Sequence, residues 1–522
     1  MKAILCLFDS LNRTALGCYG NTSIPTPNFD RFAKQSCRFD NHFVGSLPCI
    51  PARRDLHTGR MNFMHRSWGP LEPFDNSFPE LIKKSNIYSH LITDHGHYFE
   101  DGGSTYHTRF STYDFIRGQE NDPWKAMVQA PLERFREKWH YDHMGSPGGE
   151  KGDGRVNDPA RYRMQYQINK EWMQKEEELP GPRCYESALN FLDTNSKEDN
   201  WFLQLECFDP HEPFDAPDRF KKDFKTGWNG PILNWPLYEK VKYSPEEIAE
   251  IRANYAALVA MCDHYFGQLL DYMDANNMWD DTMLILTTDH GFLLSEHNWW
   301  GKNLQPYYRE ISHIPLIAHI PGLTKKEQVI TSLTQTCDLM PTVLDFFNTE
   351  IPDEVKGKSL LEYFRSESSE KRYVAFGMFG GPIGVSDGRY DLYLYPTDLY
   401  AENFFEYTLM PTHIRSRMTS EELSTSKLSW DYSFTKGSPL LKIKALKNSK
   451  RIPNVDMLTN PNSVFENAGT RLFDTSNDPN QLKPISDSDI KQQLIQGLIE
   501  ILESHECPIE IYSRFNLTKN KN

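Results

Sequence analysis

The sequence lacks any long hydrophobic run. Its opening segment, Met1-Lys2-Ala3-Ile4-Leu5-Cys6-Leu7-Phe8-Asp9, has an apolar stretch too short for a signal peptide and meets an aspartate at once. No later stretch approaches the length of a membrane span. A basic surplus is missing too. The formal charge of −15 argues against nucleic acid as a partner, because phosphate binding needs a basic footprint. An acidic exterior still allows a local cationic pocket for a small anion. The nine cysteines show no pairing rhythm, the pattern of a reduced chain. Together these absences predict a cytoplasmic protein with neither membrane nor nucleic-acid partners.

What is present belongs to a folded chain of enzyme size. Hydrophobic residues make up 39% and charged residues 25%. At 522 residues the chain exceeds one ordinary core, so two domains are expected. The texture changes near Ser366, which predicts a catalytic part, 1–366, and a smaller C-terminal part, 367–522. Between about 118 and 182, polar helical stretches and the bend Gly145-Ser146-Pro147-Gly148-Gly149 read as an insertion at the rim of the pocket. Its Trp124, Trp139 and Trp172 are either sugar-stacking or helix-packing residues.

Four short apolar runs read as buried strands of a parallel sheet, and each is followed at once by polar chemistry. Ala3–Phe8 leads to Asp9, and Tyr88–Thr93 to Asp94-His95-Gly96-His97. Trp201–Phe208 leads to Asp209-Pro210-His211-Glu212-Pro213-Phe214, and Met283–Thr288 to Asp289-His290-Gly291. The carboxyl ends of such strands are where open α/β sheets bind their ligands. Thr26 before Pro27 reads as the N-cap of a helix. Ser244-Pro245-Glu246-Glu247 reads as a capping box opening a helix to about Asn276. Its stripe, Ile248, Ile251, Tyr255, Leu258, Val259, Cys262, Phe266 and Leu269, is packing rather than chemistry.

The stretch around which the rest is organised is Cys49-Ile50-Pro51-Ala52-Arg53, continuing to Gly59-Arg60. Pro51 bars early helix formation and Ala52-Arg53-Arg54-Asp55-Leu56 can begin a helix, which places Cys49 near an N-terminus that favours anions. Taken alone, the same pattern also fits a buried cysteine on a strand-to-helix turn.

Spelled C-x-P-x-R with L-x-T-G downstream, this stretch resembles the signature of the type I sulfatases, formylglycine-dependent members of the alkaline phosphatase superfamily. Pro25 to Asp30, Asp289-His290-Gly291, Trp300-Gly301-Lys302 and Pro210-His211-Glu212-Pro213-Phe214 resemble further segments of that family, in family order. The likeness continues to Asp478. It implies an α/β fold, a large mixed sheet flanked by helices, with a smaller α+β part carrying a short antiparallel sheet.

It also implies a site. A maturation enzyme would oxidise Cys49 to formylglycine, whose hydrate attacks sulfur. Arg53 would offer a planar fork of donors to that hydrate. Asp9, the modified Cys49, Asp289 and His290 would hold Ca²⁺, with Mn²⁺ or Mg²⁺ as alternatives. Lys302 would bridge the sulfate and the formylglycine, and His211 would protonate the departing alcohol or contact the sulfate. His95 and His97 fall where the family has a lysine and a histidine on the sulfate, and are candidates for deprotonating the second hydroxyl. Ser10 stands where a second aspartate is usual.

The substrate implied is a small anionic sulfate ester, most simply of a sugar such as a hexosamine. A phosphonate monoester hydrolase or phosphodiesterase of the same superfamily is the alternative reading. A catalytically silent relative that binds sulfated glycans is the third. The aromatic stretch Glu402–Lys436 either folds back over the pocket or wraps the second sheet.

Overall fold

The computed structural model describes residues 1–143, 165–303, 306–365, 371–396, 403–445 and 469–520. The expected Gly145–Gly149 bend therefore lies outside the described residues. In chain order the first strands are β1 (Lys2–Phe8), β2 (Cys37–Phe43), β3 (Tyr88–Thr93), β4 (Thr112–Phe115), β5 (Trp201–Cys207) and β6 (Thr282–Thr288). A two-residue pair, β7 (Leu293–Leu294) and β8 (Trp300–Gly301), precedes β9 (Leu316–His319) and β10 (Gln328–Gln335). Eight of these form one sheet in the order β10-β2-β9-β6-β1-β5-β3-β4, parallel throughout except for β9.

The apolar runs form this sheet because both of its faces are covered. Alternation along β1 sends Ile4, Cys6 and Phe8 into one core and Ala3, Leu5 and Leu7 into the other. Helix α1 (Pro27–Gln35) and the helices Pro180–Asn195 and Pro245–Ala275 cover the first face. Helix α2 (Cys49–Thr58), Phe78–Lys84 and Leu339–Phe346 lie on the second.

The capping box forms as expected: Ser244 Oγ accepts from Glu247 N–H at 3.2 Å, and Glu247 accepts from Ser244 N–H at 2.7 Å. Thr26 does not cap α1. Its hydroxyl accepts from Gly17 N–H, and the open N–H groups of Asn28 and Phe29 go instead to Asp263 on the long helix, at 2.9 and 2.7 Å. A carboxylate supplied by packing replaced the local cap.

The C-terminal part contains β11 (Val374–Gly377), β12 (Ile383–Ser386), β13 (Tyr390–Leu394), β14 (Phe405–Thr408), β15 (Lys427–Ser429), β16 (Leu440–Lys444) and β17 (Arg471–Asp474). These make an antiparallel four-stranded sheet, β11-β12-β13-β17, and a three-stranded one, β14-β16-β15. The first docks directly before α2: Leu47 N–H donates to Gly377 O at 2.9 Å, and Gly377 N–H to Gly45 O at 3.0 Å. Trp139 belongs to a buried cluster with Phe135, Tyr166 and Trp235, so it is packing. Trp172 is exposed.

Two strand ends carry a buried acid pair. Gln119 Nε2 donates to Asp94 Oδ2 at 3.1 Å and to Asp209 Oδ1 at 2.9 Å, tying together the loops that bear His95 and His211. Burial pushes the Asp209 carboxyl up to about 7, and burial with the Asp209 charge raises Asp94. A carboxyl whose pKa is raised by folding stabilises below its unfolded value, near 4, and that stability is lost as pH rises to about 7. Asp209→Asn is expected to reduce this loss by roughly 3 kcal/mol, read as the difference in urea unfolding free energy between pH 4 and pH 8.

Candidate active site

The parallel registers set the strand ends level. Phe8 pairs with both Thr288 and Cys207, and Thr93 with Glu206, so Asp9, Asp289 and Asp94 leave the sheet along one edge. Helix α2 points its first residue, Cys49, at that edge. The helix begins at the cysteine itself rather than after Pro51, because proline is tolerated in a first turn whose N–H groups have no helical acceptor. Asp55 anchors it by accepting from Ser46 N–H at 2.6 Å, Ser46 Oγ at 2.8 Å and Asn62 Nδ2 at 2.6 Å. Gly291 is required by space, since an added Cβ would lie 1.9 Å from Glu310 O.

Four side chains offer ligand atoms within 4.8 Å of one another: Asp9, Cys49, Asp289 and His290, all buried. Cys49 Sγ lies 3.3 Å from His290 Nε2 and 4.0 Å from Asp9 Oδ1. His290 Nδ1 is 3.0 Å from Gly291 O, so Nδ1 carries the proton and the Nε2 lone pair faces the group. Burial, then Lys302, lowers the pKa of this imidazole and keeps it neutral.

Burial pushes the Asp9 carboxyl up, but Lys302, His211 and Arg53 outweigh it and hold Asp9 well below its ordinary value. Asp289 is driven the other way, up to about 8, by burial and the Asp9 charge, although Arg53 Nη1 donates to it at 2.6 Å. One guanidinium does not neutralise both acids. Two carboxylates, a neutral imidazole and the position-49 side chain therefore fit a divalent cation, which would supply the missing charge.

Arg53 is fully buried, and its fork does not face outward as expected. It donates to Glu206 at 2.6 Å, Asp289 at 2.6 Å, Asp9 at 3.0 Å and the Cys49 carbonyl at 2.9 Å. The acids converging from β1, β5 and β6 claim the donors. Arg53 thus organises the site from beneath.

Lys302 Nζ donates to Ser10 Oγ at 3.1 Å and lies 3.6 Å from Asp9; the Ser10 hydroxyl in turn donates to Asp9 at 2.9 Å. A serine hydroxyl thus links lysine and aspartate where a second acid is usual. His211 Nδ1 is 2.6 Å from the Glu212 carbonyl, leaving Nε2 to face Asp9 at 4.0 Å. His95 is fully buried, 3.9 Å from Asp9, and among the described residues neither ring nitrogen has a hydrogen-bond partner.

His97 stands further out. Its ring is 5.0 Å from His95, and Nδ1 pairs with Glu100 at 2.9 Å. Here the stretch left open in the sequence reaches back: Arg415 donates to Glu100 at 2.8 Å and lies 3.2 Å from His97, while Gly102 N–H donates to Ile414 O.

Glu206, Glu212 and Tyr238 were not singled out from the sequence. Glu206 carried a signal, an acid one residue before the end of an apolar strand. Tyr238, whose hydroxyl donates to Glu212, carried none.

The fold and this grouping define the class: a hydrolase of the alkaline phosphatase superfamily. Residues 2–349 match the family model described as Sulfatase. Residues 295–423 match that for the C-terminal region of N-sulphoglucosamine sulphohydrolase. The chain belongs to the sulfatase family and is a sulfuric ester hydrolase. An arylsulfatase of Clostridium perfringens is 23% identical over 454 residues, covering 80% of this chain and 90% of the relative.

Among solved structures, a protein in complex with its substrate D-glucosamine-2-N,6-O-disulfate superimposes with a TM-score of 0.63 at 15% identity, covering 97% of this chain and 98% of that one. A phosphonate monoester hydrolase of Agrobacterium radiobacter gives 0.63 at 16% identity, covering 97% and 95%. These two likenesses concern the fold.

Proposed function

We propose that this enzyme hydrolyses the sulfate ester of a small sulfated sugar, using an oxidised Cys49 beside a divalent cation. The observation that carries this is the single buried group of Cys49, Asp9, Asp289 and His290 at the start of α2. Asp9, Asp289, His290 and the side chain at position 49 would hold the ion, Ca²⁺ in the first instance and Mn²⁺ or Mg²⁺ as alternatives, which supplies Lewis-acid stabilisation of negative charge. Oxidation to formylglycine would supply the nucleophilic hydroxyl. Cys49 is 1% exposed, so a maturation enzyme would act before folding is complete.

The chain's own residues then divide the work. Lys302 and His95 cradle the sulfate oxygens, with His95 offering ring nitrogens that have no partner among the described residues. His211, with Nδ1–H held by the Glu212 carbonyl, turns Nε2 toward the departing alcohol. Neutral in the free enzyme, it takes up a proton at Nε2 from solvent when the anionic ester binds and then delivers it to the alcohol. Nine unpaired cysteines support a reducing compartment, consistent with cytoplasmic placement. A sugar leaving group is suggested by the disulfated glucosamine of the similar solved protein.

A phosphonate monoester carries the same single charge. Arg53 is engaged by three carboxylates and burial keeps His95 and His211 neutral, so Lys302 is the nearby cation left to meet the transferred group. That arrangement suits a singly charged ester of either kind. Rates on a sulfate monoester and a phosphonate monoester, measured side by side with matured enzyme, decide between them; faster phosphonate turnover would overturn the sulfate reading. A thiol persisting at Cys49 after co-expression with a maturation enzyme, seen by peptide mass spectrometry, would favour the silent glycan-binding reading.

Stripping the enzyme with a chelator is expected to abolish turnover and lower the unfolding midpoint. Restoring Ca²⁺ to a hundred times its dissociation constant should return about 2.7 kcal/mol of stability. An unchanged denaturation curve would argue that no ion sits between Asp9 and Asp289.

A further inference from the structure

One aromatic ring touches two of the histidines assigned to the reaction. The Phe208 centroid lies 5.1 Å from that of His95 and 4.0 Å from that of His211. The backbone of Phe208 is fixed from the neighbouring strand end, where Asp94 Oδ1 accepts its N–H at 2.7 Å. Asp94 precedes His95 by one residue, and Asp209 precedes His211 by two. These two acids meet on a single nitrogen: Gln119 Nε2 donates to Asp94 Oδ2 at 3.1 Å and to Asp209 Oδ1 at 2.9 Å. All three side chains are buried. An amide nitrogen has two hydrogens, and here each is spent on one acid. Gln119 therefore works through the loops that carry the histidines, not on the ester.

The turn that presents Gln119 is itself held. Asp122 accepts from Gly118 N–H at 2.8 Å and from the Arg117 guanidinium at 2.7 Å, while its own N–H donates to Gln119 O at 2.9 Å. Asn169 Nδ2 donates to Asp122 O at 2.8 Å from the other side. The amide thus arrives on a preset turn. Removing it would leave two buried carboxyls without their shared donor, a change large enough to part the loops.

We propose that Gln119 is a positioning residue for acid catalysis: by joining Asp94 to Asp209 it sets His211 against the departing alcohol while His95 holds the sulfate. The inference rests on the sulfatase reading above and adds a residue which that reading does not contain. Misalignment of His211 matters most for a poor leaving group, because a sugar alkoxide needs a proton to depart and nitrophenolate does not. Misplacement of His95 slows both kinds of ester alike, since both present the same sulfate. A fold that is only loosened does the same.

The test compares kcat/KM of matured wild type and Gln119→Met on 4-nitrophenyl sulfate and on the sulfated hexosamine that wild type cleaves fastest. Methionine keeps the length of the side chain and removes its donors. The ratio of sugar ester to nitrophenyl ester is expected to fall by about tenfold or more. A smaller fall in a folded variant overturns the proposal. Should Gln119→Met not fold, Asp94→Asn carries the same expectation and the same threshold. Its amide has one oxygen for the two donors that Asp94 satisfies, so one of the two links must break. Release from the sugar ester alone moves the comparison to a His211→Ala background. There Gln119→Met is expected to cost about tenfold less than in wild type, and a smaller difference overturns the proposal. Release from the nitrophenyl ester alone, or from neither, defeats the sugar-sulfatase reading, and the proposal with it.

Discussion

Replacing Cys49 by alanine is expected to reduce kcat by roughly a million-fold, the scale seen when an enzyme's nucleophile is removed. Lys302, His95 and His211 would remain in place, so substrate binding should survive better than turnover. The side chain is small and its contacts are polar, with Sγ at 3.3 Å from His290 and 4.0 Å from Asp9, so little packing is lost. The unfolding free energy should therefore stay within about 1 kcal/mol of wild type. That separates a chemical role from a structural one. A Cys49→Ala variant retaining a tenth of the activity would refute covalent chemistry at this position, and a collapsed variant would recast Cys49 as core.

Arg53→Gln carries the second large effect, for a different reason. The guanidinium sits among Glu206, Asp289 and Asp9, all buried, and it is the charge nearest to each. Removing it leaves three buried carboxylates facing one another, which costs about 3–5 kcal/mol by analogy with broken buried pairs. Activity should fall at least a hundredfold, because the acids proposed to hold the ion, Asp9 and Asp289, lose their common brace. Arg53→Lys keeps the charge but not the fork, and should recover stability more than activity. Urea unfolding alongside kcat/KM for both variants checks this. Wild-type stability in Arg53→Gln would contradict the buried geometry.

Much of the site was legible in the sequence because its residues lie where apolar strands stop. Asp9, Asp289 and His290 each follow a run whose strand character is local, and parallel strands place such ends together. Cys49 was legible through the spelling around it. The partners of those residues were harder to read. Arg53 was expected to aim its donors at a reacting oxygen, and the structure engages them with acids supplied by β1, β5 and β6. Glu206, which receives one of them, lies 153 residues away in sequence.

His95 and His97 show the same divide. Their spacing put both after one strand, but not which of them would meet Asp9. The turn that follows β3 buries His95 against Asp9 and sends His97 toward Glu100 and the C-terminal segment that carries Arg415. The cap of α1 is a third case: Thr26 was the local candidate, yet Asp263, from a helix that packs on the same face, took the two open N–H groups.

By itself, then, the sequence determined where the strands run, which chemistry stands at each strand end, and that a cysteine stands near the start of a helix among them. Hydrophobic periodicity and short motifs encode those facts within a few residues. Only the tertiary structure decided which charges face each other, because sheet register and helix packing bring together residues hundreds of positions apart. A buried charge settles on whichever opposite charge that packing delivers.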